Sequence, residues 1–420
     1  MRWQAGIKVA WLLAILALAL FEFCFRRSTS FVWKLEDIFL SLHGTLLLCL
    51  MVWCGALMFL TYRAWDWPLT GFLLSAVIYY LLSPYPDSGA LLLVASVGLG
   101  KGARFFLIRK EEKSGMRNFL PGVVGLLAFA SWWHLDMSAN YYHGPRWMGL
   151  WDNPNTYGLL MAAGVVLAAG LLWERQNAEC KMKKFIRIFL FVAVAMMGVG
   201  LVMSYSRGAW LAAGIGLLYL AWSYGKLKWR YVVLGLGLGA LGAGLFWGHT
   251  PDSAVWYVKR ADLGRPSAQN RATAWRAGLE IMRDHPLGVG WNNAMKIYGE
   301  KYHPPEGGAA AITTNDYLML GTELGVIALL CFAAYCALCL RGKCKMEHEE
   351  GRMQAACRAG AIVFLVAFWF DGGLFKLPTA ALFWVLLELG SPNEKGKMKN
   401  EKKCSVSSVQ CSENERGVFS

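Results

Sequence analysis

Apolar residues lie along this chain in long runs separated by short polar stretches. Runs of membrane-span length, roughly 17 to 25 residues, are centred near residues 16, 50, 75, 97, 127, 164, 194, 215, 239, 328, 365 and 383. The pattern predicts an all-α polytopic membrane protein with about 12 transmembrane helices. The stretch from Phe189 to Trp222 is too long for one crossing and contains one charged residue, Arg207, which marks a turn between two helices. The longest interruption, residues 248–315, falls between the ninth and tenth helices and is read as a large, partly helical outer loop.

The polar stretches set the orientation. Segments 101–118, 174–187, 226–230 and 341–358 are rich in Lys and Arg, which puts them in the cytoplasm by the positive-inside rule. Counting outward from these anchors places both termini inside, and the basic stretch 393–403 agrees. Segments 26–37, 83–88, 134–155, the turn at Ser204–Gly208, 248–315 and 371–378 then face out, although Arg26, Arg27 and Lys34 run against the bias. The N-terminal run shows no small-residue cleavage pattern and is read as a retained helix. The expected organisation is helices 1–9 over 1–247, the extracytoplasmic loop over 248–315, helices 10–12 over 316–390 and a disordered cytoplasmic tail over 391–420.

Composition narrows the class. Hydrophobic residues make up 56% and charged residues 17%, and the mean hydropathy is +0.37, which excludes an ordinary soluble domain. The formal charge of +14 sits in clusters that act as topology signals, so nucleic acid is not an expected partner. None of the 11 cysteines lies in the long outer loop, and neither a disulfide framework nor metal-ligand spacing is present, so no cofactor is expected.

Two segments carry candidate chemistry. Arg207 stands on the side that disfavours basic charge, among Ser204, Ser206 and Gly208; it is read as an anion-binding residue, or alternatively as a helix-end arginine reaching lipid headgroups. In the long loop, "NRATAWRAGLEIMRDHP" places Ala272, Trp275, Leu279 and Met282 on one helical face, with Asn270 as cap and Pro286 as stop. Arg265, Arg271, Arg276 and Arg283, with Lys259 and Arg260, make this loop strongly basic, which implies an anionic partner: lipid headgroups or a phosphate-bearing substrate. A transmembrane helix is expected to start near Asp316, with Asn315 beside it and Glu323 two turns on. Ionisable groups in an apolar helix are candidate functional residues.

Four stretches together resemble the O-antigen ligase and polymerase superfamily: "WDNPNTYGLLMA" (151–162), "SYSRGAWLAA" (204–213), "NRATAWRAGLEIMRDHPLGVGW" (270–291) and "TNDYLMLGTELGVIALL" (314–330). The resemblance covers about residues 140 to 335. It implies an enzyme of the bacterial inner membrane that transfers a glycan from an undecaprenyl-pyrophosphate carrier to a glycan or lipid acceptor at the outer face; with no metal-ligand spacing in the chain, metal-independent catalysis is expected, Arg207 and Arg271 standing where a divalent ion would. It implies substrate contacts from Arg207, Arg271, Arg265, Arg276, Asn155, Asn315 and Glu323. Where the family pattern has a histidine, this chain has Thr314, whose hydroxyl does not titrate near neutral pH, so the nearest candidates for the catalytic base are Asp316 and His303, with a base elsewhere, or none, as the alternative.

Plainer readings stand beside these. Asn155 is also a natural helix cap, Glu323 a natural partner within the bundle, and His303, next to Pro304 and Pro305, an ordinary loop residue. Trp147, Trp151 and Trp291 on the outer side fit an interfacial belt as well as a sugar platform. A transporter or flippase of an anionic lipid or solute would account for the basic loop, but internal repeats are not evident. A non-catalytic family member would account for Thr314.

Overall fold

The computed structural model describes residues 53, 57, 60–61, 63, 65–82, 88–108, 115–132, 146–151, 153–176, 184–225, 266–303, 315–342, 344, 346, 349–370 and 372–392. The regular elements among these residues are helices, with no strand. The helices are α1 (Trp67–Leu82), α2 (Ser88–Leu107), α3 (Gly115–Ser131), α4 (Pro154–Gln176), α5 (Lys184–Met203), α6 (Arg207–Ser223) and α7 (Pro266–Asp284), then α8 (Ala294–Ile297) running into a π-helical turn (Tyr298–Tyr302), α9 (Asp316–Glu323), α10 (Gly325–Leu340), α11 (Glu349–Ala367) and α12 (Leu377–Gly390). Helices stand at the expected spans near 75, 97, 127, 164, 194, 215, 328, 365 and 383. The spans near 16, 50 and 239, and the tail from 393, lie outside the described residues.

Helix α4 is the hub, packed against α3, α5, α6 and α11, while α12 lies along α2 and α11. Among the described residues, two helical stretches are long and apolar enough to cross a membrane: Pro154–Trp173, 83% buried, and Phe185–Met203, only 22% buried. The difference assigns them places. The first is enclosed by protein, whereas α5 exposes Phe185, Ile188, Phe191, Val192, Val199 and Val202, an apolar face that suits lipid.

The expected continuous helix from Asp316 is two helices. α9 ends at Glu323, Leu324 breaks the path, and α10 starts at Gly325 with φ +85°. The face buried on α7 also differs from the expected one: Ala274, Ala277, Ile281 and Met282 are buried, while Leu279 is exposed. Small side chains let α7 approach α9, where Gly278 faces Leu318, and the bulkier Leu279 is left outside. The helix starts at Pro266, so Asn270 lies within it rather than capping it.

One end of the bundle is fastened by buried charge. Arg63 bonds Asp66 Oδ1 (Nε, 3.0 Å), Tyr335 Oη (Nη2, 2.9 Å) and Glu388 Oε2 (Nη2, 3.2 Å). Lys101 Nζ pairs with Asp66 Oδ2 at 2.8 Å and Glu388 Oε1 at 3.1 Å. Arg104 Nη1 donates to the Glu388 carbonyl at 2.8 Å and its Nη2 to that of Pro392 at 2.9 Å, binding the carbonyl end of α12. Arg358 closes α10 and α12 in the same way, donating to Gly390 O and Gly342 O, each at 2.6 Å. Segments next to the basic loops 101–118 and 341–358 thus meet at one end. The starts of α4, α6, α9 and α12 gather at the other.

Removing one partner of a buried charge network leaves the others uncompensated, at a cost of about 3–5 kcal/mol. Glu388→Gln should therefore lower thermal stability in detergent by that order, while Glu280→Gln on the exposed face of α7 should stay within about 0.5 kcal/mol of wild type. Equal melting of both variants would show that the cluster does not fasten this end.

Candidate functional site

At the start of α4, Asn153 rather than Asn155 is the cap: its Oδ1 accepts the Asn155 N–H at 2.8 Å and its carbonyl the Tyr157 N–H at 3.1 Å. Pro154 follows in the first helical position, where its missing N–H costs nothing. Asn155 turns instead to Arg146, its Oδ1 accepting from Nη2 at 2.6 Å. The buried Arg146 also donates from Nε to the Ser204 carbonyl at 3.0 Å. One guanidinium fork thus joins the Asn-Pro-Asn element to the Ser-Arg-Gly turn.

That turn is held from several sides. The Trp147 N–H donates to Met203 O at 2.9 Å, and Ser206 N to Ser204 Oγ at 3.2 Å. Tyr205 is kept at φ 51°, a left-handed conformation that a tyrosine adopts only when its surroundings over-determine it. Ser206 caps α6 by accepting the Ala209 N–H at 3.3 Å, which leaves Arg207 exposed in the first helical position. The turn rests on Gly158 of α4, where a Cβ would stand 2.5 Å from Ser204 Oγ. Only glycine allows that approach.

The third and fourth motif stretches are also paired. The N–H groups of Val289 and Gly290 donate to Thr322 O and Glu323 O, each at 2.9 Å, and Val326 N returns a bond to Pro286 O at 2.9 Å. Gly288 (φ +90°) and Gly325 (φ +85°) face each other's backbone: a Cβ on the first would lie 2.5 Å from Glu323 O, and on the second 2.5 Å from Leu287 O. The glycines of "PLGVGW" and "TELG" therefore serve a close backbone contact that also breaks α9 from α10. Tyr79 donates to the Leu287 carbonyl, and the buried Trp291 donates Nε1 to Ala76 O at 3.0 Å. Trp291 packs edge-on against Phe375, 5.7 Å between centroids, so it is core rather than a sugar platform.

Asp316 links the two halves. Its buried Oδ2 accepts the N–H groups of Gly373 (2.7 Å) and Leu374 (2.9 Å), while its own N–H donates to Phe368 O at 3.0 Å. The loop between α11 and α12 is held on the start of α9, and two residues on, Lys376 Nζ donates to Thr156 Oγ1 in the first turn of α4 at 3.2 Å. The four motif stretches form one connected cluster through Arg146, Asp316 and Lys376. Of these, neither Arg146 nor Lys376 was a candidate from the sequence: each is a single cation in a polar stretch, and its partners lie up to 58 and 220 residues away.

Asn315 caps α9, its Oδ1 accepting from Tyr317 N at 3.0 Å and Leu318 N at 3.1 Å, while its buried Nδ2 has no acceptor among the described residues. Glu323 is buried at the α9–α10 break. On α7, Arg271 is half-buried and Arg276 exposed, and Trp275 packs on Trp369 and Phe370 at the end of α11. His303 follows the π-helical turn, edge-on to Tyr298 at 5.3 Å. The turn is tied to α7 by Tyr302 donating to Asp284 Oδ2 at 2.8 Å, a bond that holds the carboxyl below and the phenol above their ordinary pKa values. Arg265 and Thr314 lie outside the described residues.

An all-helical bundle with lipid-length apolar helices, one exposing an apolar face, is the architecture of a helical membrane protein. Residues 192–333, from α5 into α10, match the family model described as O-antigen ligase. Three of the four motif stretches fall inside that match and the Asn-Pro-Asn stretch precedes it. No curated protein and no solved structure matches the chain.

The Arg146 fork gives a quantitative check. In a double-mutant cycle of Arg146→Ala and Asn155→Ala read by thermal stability, the two losses should fall short of additivity by about 1–3 kcal/mol, the range for a charge-assisted hydrogen bond and for coupled neighbours. Additivity within about 0.3 kcal/mol would show that the two side chains do not support each other.

Proposed function

We propose that the chain transfers a glycan from an undecaprenyl-pyrophosphate carrier to a hydroxyl of a glycan or lipid acceptor at the outer face of the bacterial cytoplasmic membrane. The observation that carries this reading is the joining of all four family-like stretches into one cluster, at the end of the bundle opposite the basic loops. In the reaction the acceptor oxygen attacks the sugar carbon attached to the carrier, the bond from that carbon to the pyrophosphate oxygen breaks, and the acceptor proton passes to a base. Negative charge develops on the leaving pyrophosphate, and Arg207 and Arg271 are the groups we assign to stabilise it, with Arg265 and Arg276 nearby in sequence. Arginines in this role make the reaction metal-independent. Asn155, Asn315 and Glu323 line the same cluster. Asp316 is engaged in holding the α11–α12 loop, so His303 takes the part of the base in this reading.

Arg207→Lys and Arg271→Lys keep the charge and lose the fork that matches phosphate oxygens. Each should slow transfer in membranes carrying the lipid-linked donor by about 10²–10³-fold, the range for one lost transition-state contact. Unchanged transfer by both variants would remove the two arginines from the site.

Topology is checked separately. In a cysteine-free background, a cysteine introduced at Gly264 should react with an impermeant thiol reagent added from outside, and one at Gly115 should not. The reverse pattern would place the cluster on the cytoplasmic side.

A further inference from the structure

Lys376 is held with more care than a loop lysine requires. Its loop is pinned at Gly373 and Leu374 by the Asp316 carboxylate, and Thr379 adds bonds to Gly373 O and, at 3.1 Å, to Lys376 O. Leu374 and Leu377 are buried on either side. The half-buried ammonium is turned back to the first turn of α4, where Thr156 takes one of its three donors. Among the described residues it makes no ion pair. Besides the Asp316 carboxylate under its loop, two cations stand near the same helix start: Arg146 binds Asn155, the residue before Thr156, and the turn bearing Arg207 rests on Gly158 two residues further on. Cations beside a helix start are repelled by its positive dipole end, a repulsion that a bound anion would offset. At the same corner the buried Nδ2 of Asn315, next to Asp316, has no acceptor among the described residues.

We propose that Lys376 is a further binding residue for the phosphates of the donor, presented to them by Asp316 acting as a positioning residue. This rests on the transferase reading and adds a third cation, from the loop before α12, to the arginines of α6 and α7. A lysine suits that place because a compact point charge can follow a phosphate that moves as the bond breaks, whereas the arginine fork fixes orientation.

The test uses the full-length protein in detergent and inorganic pyrophosphate as probe. Acetylation of lysines by an impermeant succinimidyl ester is followed by mass spectrometry with and without pyrophosphate at about ten times its Kd. Simple occupancy then predicts about tenfold protection of Lys376 and none of the exposed Lys296 and Lys301. In parallel, Lys376→Gln should raise the KM for the lipid-linked donor about tenfold or more, as loss of one charge-assisted hydrogen bond does, with kcat within about threefold, while Lys376→Arg recovers most of the affinity. Equal acetylation of Lys376 with and without pyrophosphate, or an unchanged KM in Lys376→Gln, would overturn the assignment. If Arg207→Lys still weakens pyrophosphate binding in that case, the transferase reading survives and Lys376 alone is excluded. If pyrophosphate binds wild type and the Arg207→Lys, Arg271→Lys double variant equally, the reading itself falls and this inference with it.

Discussion

The end of the bundle where α4, α6, α9 and α12 start depends on one carboxylate oxygen. Asp316 Oδ2 is buried and takes the backbone N–H groups of Gly373 and Leu374. A buried carboxylate is tolerable only where donors replace the water it has lost, and here the donors belong to a loop that would otherwise leave its own N–H groups unpaired. Each side therefore satisfies the other, and the loop between α11 and α12 has one position. From that position follow the reach of Lys376 to α4 and the seating of α9 against Phe368. At its far end α9 meets the Pro286–Gly290 stretch, so the same constraint extends to the base of α7.

The two ends of the bundle treat charge in opposite ways. At the end near the basic loops, Arg63, Lys101 and Arg104 are matched by Asp66, Glu388 and the carbonyl end of α12, and each of these three has several fixed partners. Such a network specifies how α1, α2, α10 and α12 meet and leaves little for a ligand to gain. At the other end, Arg146 and Lys376 approach the start of α4, and Arg207 stands in the first turn of α6. Helix starts offer free N–H groups and a positive dipole end, which favour anions. These three cations are matched within the chain, whereas the second end presents donors that suit an anionic headgroup.

The helices were legible because a membrane span needs a long apolar run, and that signal survives any packing. The four motif stretches were legible as a set, but their roles depended on contacts that a linear pattern does not carry. Asn155 and Asn153 look alike as caps until the geometry shows Asn153 bonding the helix and Asn155 bonding Arg146. The run from Asp316 reads as one helix because Leu324 and Gly325 are compatible with one; the break comes from the backbone of Pro286–Gly290 docking there. On α7 the larger apolar residues suggested the buried face, but a close helix contact selects small ones, so Ala274, Ala277 and Gly278 face inward and Leu279 faces out. Lys376 gave no signal at all, since its meaning lies in a partner 220 residues earlier.

The central claim is that this cluster breaks the bond between a glycan and a lipid pyrophosphate and forms a new glycosidic bond. The most direct measurement is the stoichiometry of products when purified protein in proteoliposomes is given a lipid-linked glycan and an acceptor. Transfer predicts one molecule of free undecaprenyl pyrophosphate for each glycan joined to the acceptor, with the count the same whether or not a transmembrane gradient is present. Glycan-carrier that changes leaflets intact, with neither carrier pyrophosphate released nor acceptor extended, would contradict the account and identify a transporter.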